Sequence, residues 1–240
     1  QEQEFRAKIV VGADGATSVI ASKLGLSKAE GEHTCVAVRA YYENVSGMTE
    51  SIELHFINEV IPGYFWIFPL ENNLANVGVG MLLKDLNEKH VNLQQSMYDA
   101  IQKNPIFRER FKNAKQVTPV KGWNLPCGSK RQTAHGNGFV LIGDAASLID
   151  PFTGEGIGNA MTSASLAAKT IEEALQTGDF SAKKLGEYED RLWKLLGPEL
   201  QQSHRLQKLG KHKFLLNFVI GKAAKSKLVR EAIAGTFTDQ

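Results

Sequence analysis

Residues 138–160 read Gly-Phe-Val-Leu-Ile-Gly-Asp-Ala-Ala-Ser-Leu-Ile-Asp-Pro-Phe-Thr-Gly-Glu-Gly-Ile-Gly-Asn-Ala, and this stretch decides the fold. Four apolar residues, Phe139 to Ile142, run into Gly143-Asp144. An unbroken short apolar run predicts a buried strand of a parallel sheet. A carboxylate just past the end of such a strand, as Asp144 is, can accept hydrogen bonds from a polyol, and ligands of open α/β sheets bind at that edge. A turn containing Pro151 follows, and then Gly154, Gly156 and Gly158 open a long helix. Glycines at these positions let backbone approach a flat ligand closely. The start of the helix carries about half a positive charge, which favours an anionic ring in front of it.

The order Gly143-Asp144, Pro151 and the glycine triplet resembles the second flavin-contacting motif of the para-hydroxybenzoate-hydroxylase-like FAD oxidoreductases. Within that superfamily it is most similar to the geranylgeranyl reductase branch. The resemblance implies FAD as cofactor, with Asp144 on its ribityl chain. It also implies that the turn from Gly154 through Glu155, Gly156 and Ile157 to Gly158 and Asn159 lies by the flavin pyrimidine edge. A flavin becomes anionic on reduction, which suits the positive helix end.

Nearer the beginning, residues 8–26 read strand, turn, helix, with Thr17 or Ser18 as the cap and Gly25 beyond the end. Asp14-Gly15 in that turn resembles the superfamily's Asp-Gly motif, which implies a second cofactor contact. One departure is Ala21, where many aromatic hydroxylases carry Arg seven residues after the Asp. It weakens any inference that this chain handles NADPH as they do.

Four β-like stretches fill residues 34–84, and the polar link Glu71-Asn72 between two of them reads as a hairpin. An antiparallel sheet with one covered face fits the pattern. Within it stands Pro62-Gly63-Tyr64-Phe65-Trp66-Ile67-Phe68-Pro69. Alternation along a strand puts Tyr64, Trp66 and Phe68 on one face. Such a wall suits a flat or hydrocarbon substrate, and Gly78 and Gly80 on the partner strand would leave space opposite it. The string, including Pro69, resembles the Tyr-x-Trp-x-Phe-Pro and Gly-x-Gly signature of geranylgeranyl reductases, where it lines the lipid cavity. Core packing is the competing account of such a stripe; its position between the two flavin-contacting segments favours substrate binding. Residues 122–128 also resemble that branch, and Cys127 among them reads first as a small buried hydrophobe.

Further on, residues 91–103 have a helical apolar stripe that Pro105 interrupts, and residues 117–127 read as extended. From Ile157, apolar and small residues recur through Ala160, Met161, Ala164, Ala167, Ala168, Ile171, Ala174 and Leu175, predicting one long helix that Gly178 ends. Further helices are expected over residues 181–235, broken near Gly197-Pro198, Gly210 and Gly221.

Composition bounds the rest. Over 240 residues, 42% are hydrophobic and 22% charged, with a net charge of +2. This is ordinary globular composition and gives no warrant for nucleic-acid binding. Cys35 and Cys127 lie far apart and the histidines lack ligand spacing, so neither a disulfide framework nor a metal site is expected. No apolar run reaches the length of a membrane span. The chain starts at Gln1 and carries no Gly-x-Gly-x-x-Gly turn or ribose-binding acid, so it is expected to be the C-terminal piece of a longer flavoprotein, inactive by itself.

The expected fold is α/β with α+β character: a partial FAD-binding Rossmann-like domain, an inserted antiparallel substrate domain and a helical C-terminus. Residues 1–30 and 129–178 form the FAD segments, 31–128 the substrate domain and 179–240 the helical region. The expected activity is reduction of isoprenoid double bonds by hydride from reduced FAD, with NAD(P)H or a redox protein as electron donor. Two alternatives share the residues: a flavin-dependent aromatic monooxygenase or halogenase, and a non-catalytic lipid-binding module. The last forty residues hold eight Lys or Arg against two acids. That tail suits peripheral contact of a cytoplasmic protein with anionic lipid, although a helical cap with a solvated basic face is the preferred reading.

Overall fold

A computed structural model describes residues 3–26, 30–58, 60–212, 214 and 221–222. The chain divides into two compact units, one built from the described residues of 1–33 and 125–206, the other from those of 34–124 and 207–227.

In the first unit, strand β1 (Val10–Gly12) runs parallel to a strand at residues 139–141, with Val10 opposite Phe139 and Gly12 opposite Leu141. After β1, helix α1 (Val19–Lys23) is capped by Ser18, whose hydroxyl accepts from the Ala21 amide.

The second unit is a six-stranded sheet with helices on one face. Its elements are β2 (Thr34–Glu43), β3 (Glu53–His55), β4 (Tyr64–Pro69), β5 (Leu74–Leu82), helices α2 (Leu83–Glu88), α3 (Leu93–Lys103) and α4 (Pro105–Arg110), and the short strand β6 (Lys115–Gln116). The order is β3-β4-β5-β2-β6, and β7 (Lys121–Pro126) also pairs with β2. β4 and β5 join through Asn72 and Asn73, both in the left-handed region that Asn tolerates better than other side-chain-bearing residues. Period two then sorts the side chains. Phe65, Ile67, Val77, Val79 and Ala40 turn to the helices and are fully buried against Met97, Ala100 and Phe107. Phe65 and Phe107 stack with centroids 4.5 Å apart. Pro105 does more than interrupt a helix: it is the first residue of α4, where its missing N–H costs nothing, and Asn104 caps that helix from the Ile106 amide. Helix α2 was not expected, because Leu82-Leu83 continues the apolar run of β5 and no side chain caps the helix start.

The remaining elements complete the first unit: β8 (His135–Gly136), β9 (Phe139–Leu141), a 3₁₀ turn at Gly143–Ala146, α5 (Ile157–Thr177) and α6 (Ala182–Leu209). Gly178, at φ +71°, ends α5. Leu185, Tyr188, Leu192, Leu196 and Leu200 form a buried stripe on α6, packed with Val140, Leu141, Leu148 and Ala167. The expected break at Gly197-Pro198 does not occur; α6 continues through both residues. Proline inside a helix costs about 3 kcal/mol, but buried leucines on both sides, each worth about 1.5–3 kcal/mol, hold the flanking turns. Pro198 itself is exposed. The breaks expected at Gly210 and Gly221 differ in status: α6 ends at Leu209, whereas the surroundings of Gly221 and the apolar run 214–220 lie largely outside the described residues.

Helix α5 also presents a different face from the one expected. Asn159, Ser163, Ala167, Thr170 and Ala174 are buried, whereas Ile157 and Met161 are 77% and 70% exposed. The buried hydroxyls bond within their own helix, Ser163 to the Ala160 carbonyl and Thr170 to the Leu166 carbonyl. With their hydrogen bonds met locally, small polar residues pack as closely as alanine.

Glu189 ties α6 to the loop before β8. Its buried carboxylate accepts from the Ala134 amide, from Arg131 and from His135, at 3.0, 2.8 and 2.7 Å. Burial opposes its charge, but these three donors outweigh that and hold the carboxyl below its ordinary value of 4.5. The stability it supplies is therefore present above that value and is lost as pH falls through the lowered one. Glu189→Ala is expected to cost about 2–4 kcal/mol in denaturant melts at neutral pH, with the deficit shrinking towards acid.

Candidate functional site

β1 and β9 are parallel neighbours, so the loops leaving their carboxyl ends emerge at one sheet edge, carrying Asp14 and Asp144. The two aspartates differ in what they have left to offer. Asp14 Oδ1 accepts from the Ser18 hydroxyl at 2.6 Å and Oδ2 from the Ile20 amide at 3.1 Å. Burial opposes its charge, yet these bonds keep its carboxyl below the usual value. Asp14 thus organises the start of α1, and Gly15 turns beside it at φ +78°.

Asp144 lies in the 3₁₀ turn after β9, half-buried, and its carboxylate receives no hydrogen bond from any described residue. Burial, and then the charge of Glu155, push its carboxyl above the ordinary value. The turn is held from beneath. The Gly143 amide donates to Ser163 Oγ, and the buried Tyr188 hydroxyl donates to the Leu141 carbonyl at 2.8 Å. Gly143 takes φ +57°, and a methyl group there would come within 3.0 Å of the Ala160 methyl.

The loop from Ser147 to Gly156 is bonded within itself. Asp150 Oδ1 collects the Phe152 and Thr153 amides and the Thr153 hydroxyl, the local turn that Asp side chains favour. Pro151 is buried within it. The Asp150 amide donates to the Glu155 carbonyl and the Gly154 amide to the Asp150 carbonyl. The strip Pro126–Gly128 zips alongside, exchanging backbone bonds with Ile149, and the Cys127 thiol is buried there against the Leu125 carbonyl. Asn159, named with the turn residues, is committed to structure: its side-chain amide donates to the Leu148 carbonyl at 2.8 Å.

The helix start is shaped by glycine and acid. Gly156 is the N-cap residue and has no side chain to cover the first amides. Glu155 Oε1 accepts from the Gly158 amide at 2.8 Å, while Glu155 Oε2 and Asp150 Oδ2 are buried without a partner among the described residues. A methyl group on Gly156 would sit 3.2 Å from Asp144 Oδ1 and 3.1 Å from Ile149 Cγ1. Gly154 turns at φ +75° and is exposed, as is Ile157. This edge offers a carboxylate with no donor among the described residues, a cradle that a Cβ would fill, and a helix start whose Gly158 amide is capped by Glu155. Those features fit a polyhydroxylated cofactor with a flat anionic ring.

In the second unit, Tyr64, Trp66 and Phe68 form a part-exposed ladder on the sheet face away from the helices. Adjacent rings are 6.0 Å apart at both steps, and Phe56 joins Tyr64 at 6.3 Å. Tyr64 pairs with Gly80, Trp66 with Gly78, Phe68 with Asn76 and Pro69 with Ala75. The space that the glycines leave is filled from within. The Trp66 indole lies across Gly78, where a Cβ would overlap both the ring and the Val38 carbonyl oxygen. The Trp66 N–H donates to Asn76 Oδ1 at 3.1 Å. Sequence reading missed that anchor, since only the strand register places Asn76 two residues from the paired Gly78.

Comparison with known proteins adds to this geometry. The FAD binding domain family matches residues 1–192. Digeranylgeranylglycerophospholipid reductase 2 of Methanococcoides burtonii is 36% identical over 209 residues, covering 85% of this chain and 48% of that protein. The digeranylgeranylglycerophospholipid reductase of Methanocaldococcus jannaschii is 34% identical, over 85% and 51%. The chain thus spans about half the length of these relatives. Two solved structures share the fold. A geranylgeranyl bacteriochlorophyll reductase-like protein of Thermoplasma acidophilum superposes with TM-score 0.68 at 23% identity, over 87% of this chain and 55% of the other. A flavin-dependent brominase superposes with TM-score 0.69 at 18% identity, over 94% and 57%. With a family match across four-fifths of its length and relatives that are reductases, this chain belongs to the FAD binding domain family of flavoproteins.

Proposed function

We propose that this chain is the flavin-edge and substrate-binding part of an FAD-dependent reductase that saturates double bonds of isoprenoid lipids. The observation that carries the proposal is Asp144, a half-buried carboxylate without a donor among the described residues, standing beside a Cβ-free turn at a sheet edge. Asp144 would accept hydrogen bonds from the cofactor's hydroxyl-bearing chain, and the backbone at Gly154, Gly156 and Gly158 would lie against its ring. FAD bound in its reduced state would supply hydride for one alkene carbon, and a proton drawn ultimately from solvent would complete the other. Asp14 would support the same edge indirectly, by fixing α1 and the turn at Gly15.

On the substrate side, Tyr64, Trp66 and Phe68 would hold an apolar chain by area and orientation, excluding water from it. Relatives named for a digeranylgeranylglycerophospholipid favour a prenyl lipid over a phenol as the occupant. The electron donor would be NAD(P)H or a redox protein. No described helix is long and apolar enough to cross a membrane.

The test is anaerobic: full-length protein with reduced FAD is mixed with a prenyl phospholipid. Return of the oxidised flavin spectrum, with hydrogen added at the lipid double bonds, is the expected result. No reoxidation by any prenyl lipid, together with oxygen-consuming turnover of a phenol, would favour a monooxygenase or halogenase instead. Protein that cannot be loaded with FAD at all would favour a lipid-binding module.

A further inference from the structure

Strand register puts Arg39 on the aromatic face, near the middle of the ladder. β2 pairs with β5 so that Arg39 stands opposite Gly78, and Trp66 stands opposite the same glycine from β4. Arg39 and Trp66 therefore flank Gly78 on one sheet face, two strand spacings or about 10 Å apart at their backbones. The indole lies over the glycine between them. Along β2, Tyr41 shares this face, and the Arg39 guanidinium carbon sits 4.6 Å from its ring centroid.

Arg39 makes no ion pair among the described residues, in a protein whose other buried or half-buried arginines are matched: Arg110 by Glu53, and Arg191 by Glu173. β3, β4 and β5 bring no carboxylate to this face, their same-side residues being Leu54, the aromatic ladder, Leu74, Asn76, Gly78, Gly80 and Leu82; its acid is Glu43, four residues along β2 from Arg39 and paired in register with Lys115 of β6. A guanidinium held over a tyrosine ring can still present its N–H fork to two oxygens of a carboxylate or phosphate. A face with an apolar ladder and an unmatched guanidinium two strands away is complementary to an amphiphile with a hydrocarbon body and an anionic end.

We infer that Arg39 reads the phosphate headgroup of the isoprenoid lipid whose chain lies on the aromatic ladder, and so separates prenyl phospholipids from neutral prenyl compounds. This rests on the reductase reading of that ladder and adds the residue that sets substrate class. Arg39 is a specificity residue, remote from the reacting carbons.

The test measures equilibrium binding of geranylgeranyl phosphate and of geranylgeraniol to FAD-loaded full-length protein, as wild type and as Arg39→Gln. Wild type is expected to bind the phosphate at least about tenfold more tightly than the alcohol, as one charge-assisted bidentate pair allows. In Arg39→Gln the phosphate Kd should rise about 10- to 100-fold, with the alcohol Kd within about twofold of wild type. Arg39→Met, which keeps a stem over Tyr41, should repeat this loss and replaces the glutamine variant if that one does not fold. Unchanged phosphate preference in either variant overturns the role of Arg39 while leaving the ladder as the chain site. Wild-type protein that binds neither compound overturns the ladder reading and Arg39 with it.

Discussion

Asp144→Asn is expected to weaken FAD binding to the full-length protein about 10- to 100-fold, the loss of a charged acceptor for hydroxyl donors. The same change should leave the melting temperature of the cofactor-free protein unchanged or raise it. The sign follows from the environment. Burial first, and the Glu155 charge second, raise the carboxyl above its ordinary value of 3.8. The folded state therefore holds the Asp144 proton more tightly than the unfolded chain does. Stability is lost as pH rises from the unfolded value through the raised one, and above that window the charged side chain opposes folding. Asparagine removes that cost and keeps the shape. An aspartate with only a structural role would behave the other way, losing stability with no separate effect on the cofactor. FAD fluorescence titration and calorimetry of the cofactor-free variant distinguish the two.

Gly78→Ala is expected to have the largest effect on the substrate side. The new methyl would overlap the Trp66 indole and the Val38 carbonyl oxygen. The indole can swing only by breaking its hydrogen bond to Asn76. The backbone of β2 cannot yield without disturbing its pairing with β5. Overpacking of this kind costs about 1–3 kcal/mol. Displacing Trp66 also breaks the ladder, so the Kd for a prenyl lipid should rise at least about tenfold, as expected for the loss of a buried aromatic contact. Adding Trp66→Ala to Gly78→Ala should recover the part of the stability due to the indole, a coupling of about 1 kcal/mol, and leave the part due to Val38. Full additivity of the two changes in urea melts would show that the indole does not occupy that space.

Much of this was legible in the chain itself. The apolar run at Phe139–Leu141 and the glycines after it specify strand, turn and helix by local chemistry, and β9 and α5 follow them. Alternation through residues 64–69 sorts the aromatic ladder from Phe65 and Ile67 without any tertiary information. What stayed hidden depends on partners distant in sequence. The role of Arg39 needs the register of β2 against β5. The hub at Glu189 needs α6 to meet the loop at Ala134. The outward turn of Ile157 and Met161 could not be read from periodicity, because Ser163 and Thr170 bury as readily as alanine once their hydroxyls bond within the helix. Asp14 and Asp144 look alike as letters in two strand-end turns. Only coordinates show that Ser18 and Ile20 occupy the first while the second has no donor among the described residues.

The central claim is that the edge formed by Asp144 and the start of α5 receives the flavin. Hydrogen exchange on the full-length protein, with and without FAD, tests it most directly. The account predicts FAD-dependent slowing of amides in residues 143–160, strongest around Gly154 to Gly158, and loss of that slowing in Asp144→Asn at matched FAD concentration. Stoichiometric FAD binding with no change anywhere in residues 143–160 would contradict it.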